Sequence, residues 1–131
     1  MSKAIKVTTD MDMSVVELIP DESYNLIKDT VDGLFDCISL PQYGSDMWIN
    51  DEGKINGLPI NPLASLIYMN EYNTTDYIAG DVLLTGGVDE EGNTLGMTDM
   101  QCQTMLTYIA TVAKIIIEEI DKVEQESKEA L

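Results

Sequence analysis

Residues 48–62, WINDEGKINGLPINP, constrain the fold more than any other stretch. They read as strand, tight turn, returning strand, second turn and helix start, so no long regular element can run through the middle of the chain. Met47 to Asn50 is predicted as a strand. Asp51-Glu52-Gly53 forms the turn, with Gly53 supplying a positive φ, and Lys54 to Leu58 returns as a strand. Asn61-Pro62 then starts a helix, with Asn61 as N-cap and Pro62 at the first helical position, where its missing N–H costs nothing. That helix is predicted over residues 62–72.

Short elements flank this stretch on both sides. KAIKVTT (residues 3–9) and MSVVELI (residues 13–19) alternate and are rich in β-branched residues, which predicts an N-terminal hairpin. Pro20-Asp21 opens a helix whose apolar positions Tyr24, Leu26 or Ile27, and Val31 recur at helical spacing, with Gly33 placed to end it in a left-handed conformation. LFDCISL (34–40) is a strand stopped by Pro41. YIAGDVLLT (77–85) is another, with Gly80 at a possible bulge. GGVDEEGNTLG reads as a mobile acidic loop. Thr98 caps a final helix with Asp99 and Gln101 in its first turn, and that helix extends to about Ser127. At 1.5 Å per residue it approaches about 45 Å, longer than a domain of this size is wide. The expected fold is a single α+β domain over residues 1–131: a mostly antiparallel sheet of about five strands, packed helices, and a long C-terminal helix over residues 98–127.

Composition bounds the chemistry. The 131 residues include 24 acidic residues, 7 lysines, no arginine and no histidine, a formal net charge of -17, while the 44% hydrophobic content is that of a globular core. Scattered lysines without arginine cannot grip phosphates bidentately, so direct nucleic-acid binding and anionic membranes are disfavoured. Without histidine, the commonest general base and metal ligand are missing. Cys37 and Cys102 each sit in an apolar pattern and read as reduced core thiols. No signal core is visible at the N-terminus, and no apolar run reads as long enough to span a membrane, so a cytoplasmic location is expected.

The ordered pieces Gly33 to Leu40, Asn50 to Lys54, Gly57 to Asn61, Ile78 to Asp81 and Met97 to Gln101 resemble the domain of unknown function 3846 family, small proteins of phages and other mobile elements. The resemblance spans roughly residues 15–105. It implies an α+β fold and a mobile-element origin but no established activity. Two features depart from the family's pattern: Asp32 stands where a second glycine is common, and the closing helix is longer.

Four candidate sites follow from the residues. The turn from Asn50 to Lys54 reads first as side chains bonded to their own backbone, and second as a recognition loop; its spacing fails the calcium-loop pattern. Trp48, Asn50, Lys54, Asn61 and Tyr68 are candidate ligand-binding residues around the helix start at Pro62, with Trp48 and Tyr43 as a possible stacking wall. Asp89, Glu90 and Glu91 in the acidic loop, and Glu118, Glu119 and Asp121 on the last helix, are candidate partner-binding residues. Ile109, Val112, Ile116 and Ile120 follow a near-heptad stripe and are candidates for an interface between copies, since the later turns have too little domain left to cover.

No catalytic motif, metal site or cofactor is expected. The near-absence of basic residues, the missing catalytic inventory and the small size, together with the mobile-element origin that the resemblance implies, favour a non-enzymatic inhibitor that binds a host defence protein, such as a restriction or CRISPR effector, through an acidic surface that mimics nucleic acid. The alternative is an oligomeric small-molecule binder that sequesters a nucleotide-like immune signal.

Overall fold

The computed structural model describes residues 2–129. Five strands, β1 (Lys3–Val7), β2 (Met13–Glu17), β3 (Phe35–Leu40), β4 (Ser45–Asn50) and β5 (Val82–Thr85), form one sheet in the order β2-β1-β5-β4-β3. Every pairing is antiparallel. Helix α1 (Ser23–Val31) covers one face, and α2 (Pro62–Tyr72) and α3 (Asp99–Glu129) cover the other. Strand alternation divides the core accordingly. Ile5, Val7, Met47, Val82 and Leu84 meet α2 and α3, while Ala4, Leu83 and the half-buried Trp48 meet Leu18 and Ile27 on the α1 side.

The caps read from the sequence form as expected. The Asn61 side chain accepts from the Ala64 amide at 3.0 Å, and Pro62 opens α2. The Thr98 Oγ1 accepts from the Gln101 amide at 3.1 Å, and Gln101 Oε1 accepts from the Thr98 amide at 2.8 Å. That reciprocal box satisfies two amides at the start of α3.

Other local expectations are corrected. Lys54 to Leu58 is not a strand. One edge of β4 is taken by β3 and the other by β5, with Met47 opposite Ile38 and opposite Leu84, so no edge is left for a returning segment. Residues 51–57 form consecutive turns instead, closed by Leu58 N donating to the Gly53 carbonyl at 2.9 Å. The left-handed residue there is Gly57, at φ 68, not Gly53. Gly53 is needed for a different reason: a Cβ on it would lie 2.7 Å from the Ala79 carbonyl oxygen. At the end of α1, Asp32 takes the left-handed cap at φ 60, one residue ahead of Gly33. Residues 77–81 approach the sheet as irregular backbone joined to the chain before α2 by the Ile60–Ala79 bridge, and the strand proper is only Val82–Thr85. Cys102 is buried, but Cys37 is exposed on the edge strand β3.

By length and composition alone α3 is long and apolar enough to cross a membrane, contrary to the expectation that no segment is. In this fold its residues Cys102, Met105, Ile109 and Val112 are instead packed into the protein core.

Candidate functional site

The expected ligand-binding residues separate into three environments. Asn61 is completely buried, and both its amide N–H groups are used: Nδ2 donates to the Val7 and Gly80 carbonyls, each at 3.0 Å, in addition to the cap that Oδ1 makes on α2. It ties the end of β1, the approach to β5 and the start of α2 together, and, with no surface exposed and both donors occupied, it faces no ligand. Trp48 lies on the α1 face, edge-on to Phe35 at 5.5 Å, with its Nε1 donating to Thr85 Oγ1 at 2.9 Å. Tyr43 lies on the opposite face against Tyr108, ring centres 4.7 Å apart, so the two form no stacking wall. Burial, then Tyr108, push the Tyr43 hydroxyl up to about 12.

Asn50, Lys54 and Tyr68 do converge. They line a cleft of about 180 Å³ with Asp51, Asp76 and Tyr77. Asn50 shapes the floor: Oδ1 accepts from the Glu52 amide at 2.8 Å, and Nδ2 donates to the Val31 carbonyl at 2.9 Å, closing the end of α1. Its side chain thus makes an Asx turn and holds the end of α1 while lining the cleft. The Lys54 ammonium is paired with Asp76 and lies 4.6 Å over the Tyr77 ring. The hydrogen bond with Asp76 raises the Lys54 pKa, and the same contact lowers that of Asp76. An anion entering the cleft therefore meets a lysine whose charge is already balanced by Asp76. Asp76 and Tyr77 were not foreseen, because Tyr77 reads in the sequence as the first residue of a strand.

The acidic candidates differ from one another. Asp89 is committed to its own loop: Oδ1 accepts from the Glu91 and Asn93 amides at 2.9 and 2.8 Å, and Oδ2 from Asn93 Nδ2 at 3.1 Å. These bonds, that with Asn93 foremost, lower its pKa. With the Val88–Thr94 bridge they give the acidic loop a defined internal structure. Glu90 and Glu91 are left exposed on it. Glu118, Glu119 and Asp121 are exposed on α3. Of the 24 acidic residues only Asp46 is buried, and burial raises its pKa. Among the described residues just two ion pairs form, Lys3–Asp99 and Lys54–Asp76, and no cluster of three His, Cys, Asp or Glu is placed to hold a metal ion.

The candidates for an interface between copies also divide. Ile109 and Val112 are buried within the chain, Ile116 is half-buried, and Ile120 is exposed. The first two serve the domain's own core and are closed to a second copy.

A family model described as a domain of unknown function (DUF3846) matches residues 1–111. The match ends inside α3, so the last turns of that helix lie beyond it. No curated protein and no solved structure matches the chain.

Proposed function

Since the chain belongs to the DUF3846 family, a membership that assigns no chemistry, we propose from its surface that it is a non-enzymatic inhibitor which occupies the basic surface of a partner protein. The carboxylates stand in for nucleic-acid phosphates, and the partner is a host defence protein that normally grips nucleic acid, met in the host cytoplasm. The observation that carries this reading is uncompensated charge. Seven lysines face 24 carboxylates, and only two described lysines are paired. A fold that holds so many carboxylates on its surface pays in self-repulsion, and the same field accelerates encounter with a positive groove.

Capture of partners from host lysate tests it. Partners should elute at about 0.5 M salt, where the Debye length has fallen to a few ångströms. Reversing Glu90 and Glu91, or Glu118, Glu119 and Asp121, to Lys should weaken capture while leaving the fold intact. A complex insensitive to salt and to both reversals defeats the reading.

A second reading has one observation in its favour: three of the five residues expected to hold a small ligand share the cleft beside Lys54. A neutral or zwitterionic ligand suits it better than an anion, because Lys54 is already neutralised by Asp76. Mass spectrometry of molecules released on denaturing the purified protein tests that reading. A ligand lost on Lys54→Ala supports it.

A further inference from the structure

α3 carries one continuous apolar stripe, and the domain covers only its first half. With about 100° between successive residues, Met105, Ile109, Val112, Ile116, Ile120 and Val123 share a face. The first three are buried, whereas Ile120 is 49% and Val123 58% exposed. Every residue from 117 to 129 is exposed, a projection of roughly 20 Å at 1.5 Å per residue. Ile109 and Ile120, like Val112 and Val123, are separated by an 11-residue step, which keeps the stripe in line along a nearly straight helix. The core-facing surface of α3 thus continues past the core.

The margins of the projecting half carry one sign. Taken around the helix from Ile116, Glu119 and Glu126 border the stripe on one side and Glu124 on the other, each within about 80°. Lys114, Lys122 and Lys128 fall about 120° or more away, on the outer face. Ile115 and Ile117, both about half exposed, widen the apolar surface at its base.

We propose that the exposed half of this stripe docks a basic amphipathic helix of the partner: an apolar ridge at i, i+3/i+4 and i+7, flanked by Lys and Arg. The ridge covers Ile120 and Val123, and the flanking cations meet Glu119, Glu124 and Glu126. A second copy of this chain is the poorer occupant. It would bring the same three glutamates to the same margins, and no segment of the chain offers a lysine-flanked apolar ridge, because its seven lysines are scattered. Like charges held together across a helix pair are destabilising, and opposite ones select the partner. The inference rests on the basic-partner reading and gives it an address.

The test uses the full chain and two labelled synthetic peptides of identical Leu, Lys and Arg composition, followed by fluorescence anisotropy. One peptide is patterned to form a one-sided apolar helix, the other is scrambled. The patterned peptide should bind at least about tenfold more tightly. The Ile120→Asp/Val123→Asp variant should lose that preference although it is more acidic, and Glu119→Lys/Glu124→Lys/Glu126→Lys should lose it too. Glu90→Lys/Glu91→Lys should keep it. Trp48 fluorescence, reporting the α1 side of the sheet, verifies that each variant is folded. Equal binding of both peptides, unaffected by Ile120→Asp/Val123→Asp, overturns the docking site but leaves the basic-partner reading standing. Binding of neither peptide at low salt overturns both. A wild-type dimer in light scattering that Ile120→Asp dissociates also overturns the proposal, since a second copy would then cover the stripe.

Discussion

Ile109 and Ile120 are 11 residues apart on one face of one helix, yet the first is wholly buried and the second is half exposed. The chemistry around them changes with that difference. Residues 100–113 contain no charged side chain, whereas residues 117–129 hold six acids and two lysines. The first half of α3 is stabilised by packing against β1 and α2. The second half has only local support: good helix formers, and Glu118–Lys122 and Glu124–Lys128 at the favourable i, i+4 spacing, worth a few tenths of a kcal/mol each. One helix therefore contains a structural half and a half whose apolar surface the domain does not use.

The largest expected effect comes from making the same change at both positions. Ile109→Asp places an unpaired carboxylate in the core, and should cost about 3–5 kcal/mol or abolish folding. Ile120→Asp should change stability by no more than about 0.5 kcal/mol. Urea unfolding followed by Trp48 fluorescence measures both. Comparable losses would mean that residues 117–129 are packed in solution, and the contrast between the halves would collapse.

Capping gives a smaller effect of the same kind. Thr98→Ala removes one member of the reciprocal box that starts the packed half. It should cost about 1 kcal/mol in the same unfolding experiment. If it costs nothing, the packed half does not depend on its first turn, and docking against the sheet alone sustains it.

What could be read in the sequence follows a similar division between local and distant causes. Asn61-Pro62 and Thr98–Gln101 were legible because a cap is made by residues within one turn of each other. The stripe on α3 was legible as periodicity and its later turns as outrunning the domain, but that Ile109 and Val112 belong to the core was not, since that boundary depends on where the sheet ends. Lys54 to Leu58 was misread because its alternation fits a strand, while the edge it needed belongs to β5, more than 20 residues further along. Among the candidate ligand residues, Asn50, Lys54 and Tyr68 share a cleft, but Trp48 falls outside it for the same kind of reason. Trp48 was assigned to the wrong side because the face of a strand residue depends on register, and Tyr43 and Trp48, close in sequence, lie on opposite sides of the sheet. Asp76 and Tyr77 complete the cleft from the residue before, and the first residue of, a segment the sequence presented as strand.

Ending the chain after Ile117 sharpens the comparison further. It removes the exposed half of α3 and none of the buried residues. The change in unfolding free energy should stay within about 0.5 kcal/mol, while the preference for the patterned basic peptide disappears. Hydrogen exchange on the intact chain should agree: amides of residues 102–112 exchange only with global unfolding, and those of 118–128 by local fraying. Equal protection along the helix would contradict the division.

The smallest expected effect lies at the opposite end of α3, where Lys3 of β1 pairs with Asp99 at 2.9 Å. Its hydrogen bond and charge lower the Asp99 pKa, and the same contact raises that of Lys3. For Asp99 the stabilisation is fully present above the ordinary carboxylate value and is lost as pH falls through the lowered folded value. For Lys3 it is fully present below the ordinary lysine value and is lost as pH rises through the raised one. Asp99→Asn should therefore lower Tm by a roughly constant amount between about pH 5 and pH 9, and by progressively less in acid. Because Asp99 is largely exposed and Lys3 partly so, the shift should be smaller than that of Thr98→Ala and should shrink as salt is added. Lys122→Gln, the matching removal of a charge in the projecting half, should leave Tm unchanged at every pH, since those turns fray before the domain unfolds. A Tm response to Lys122→Gln as large as that to Asp99→Asn would show the two ends of α3 melting together, and would place residues 117–129 inside the cooperative unit from which their exposure separates them.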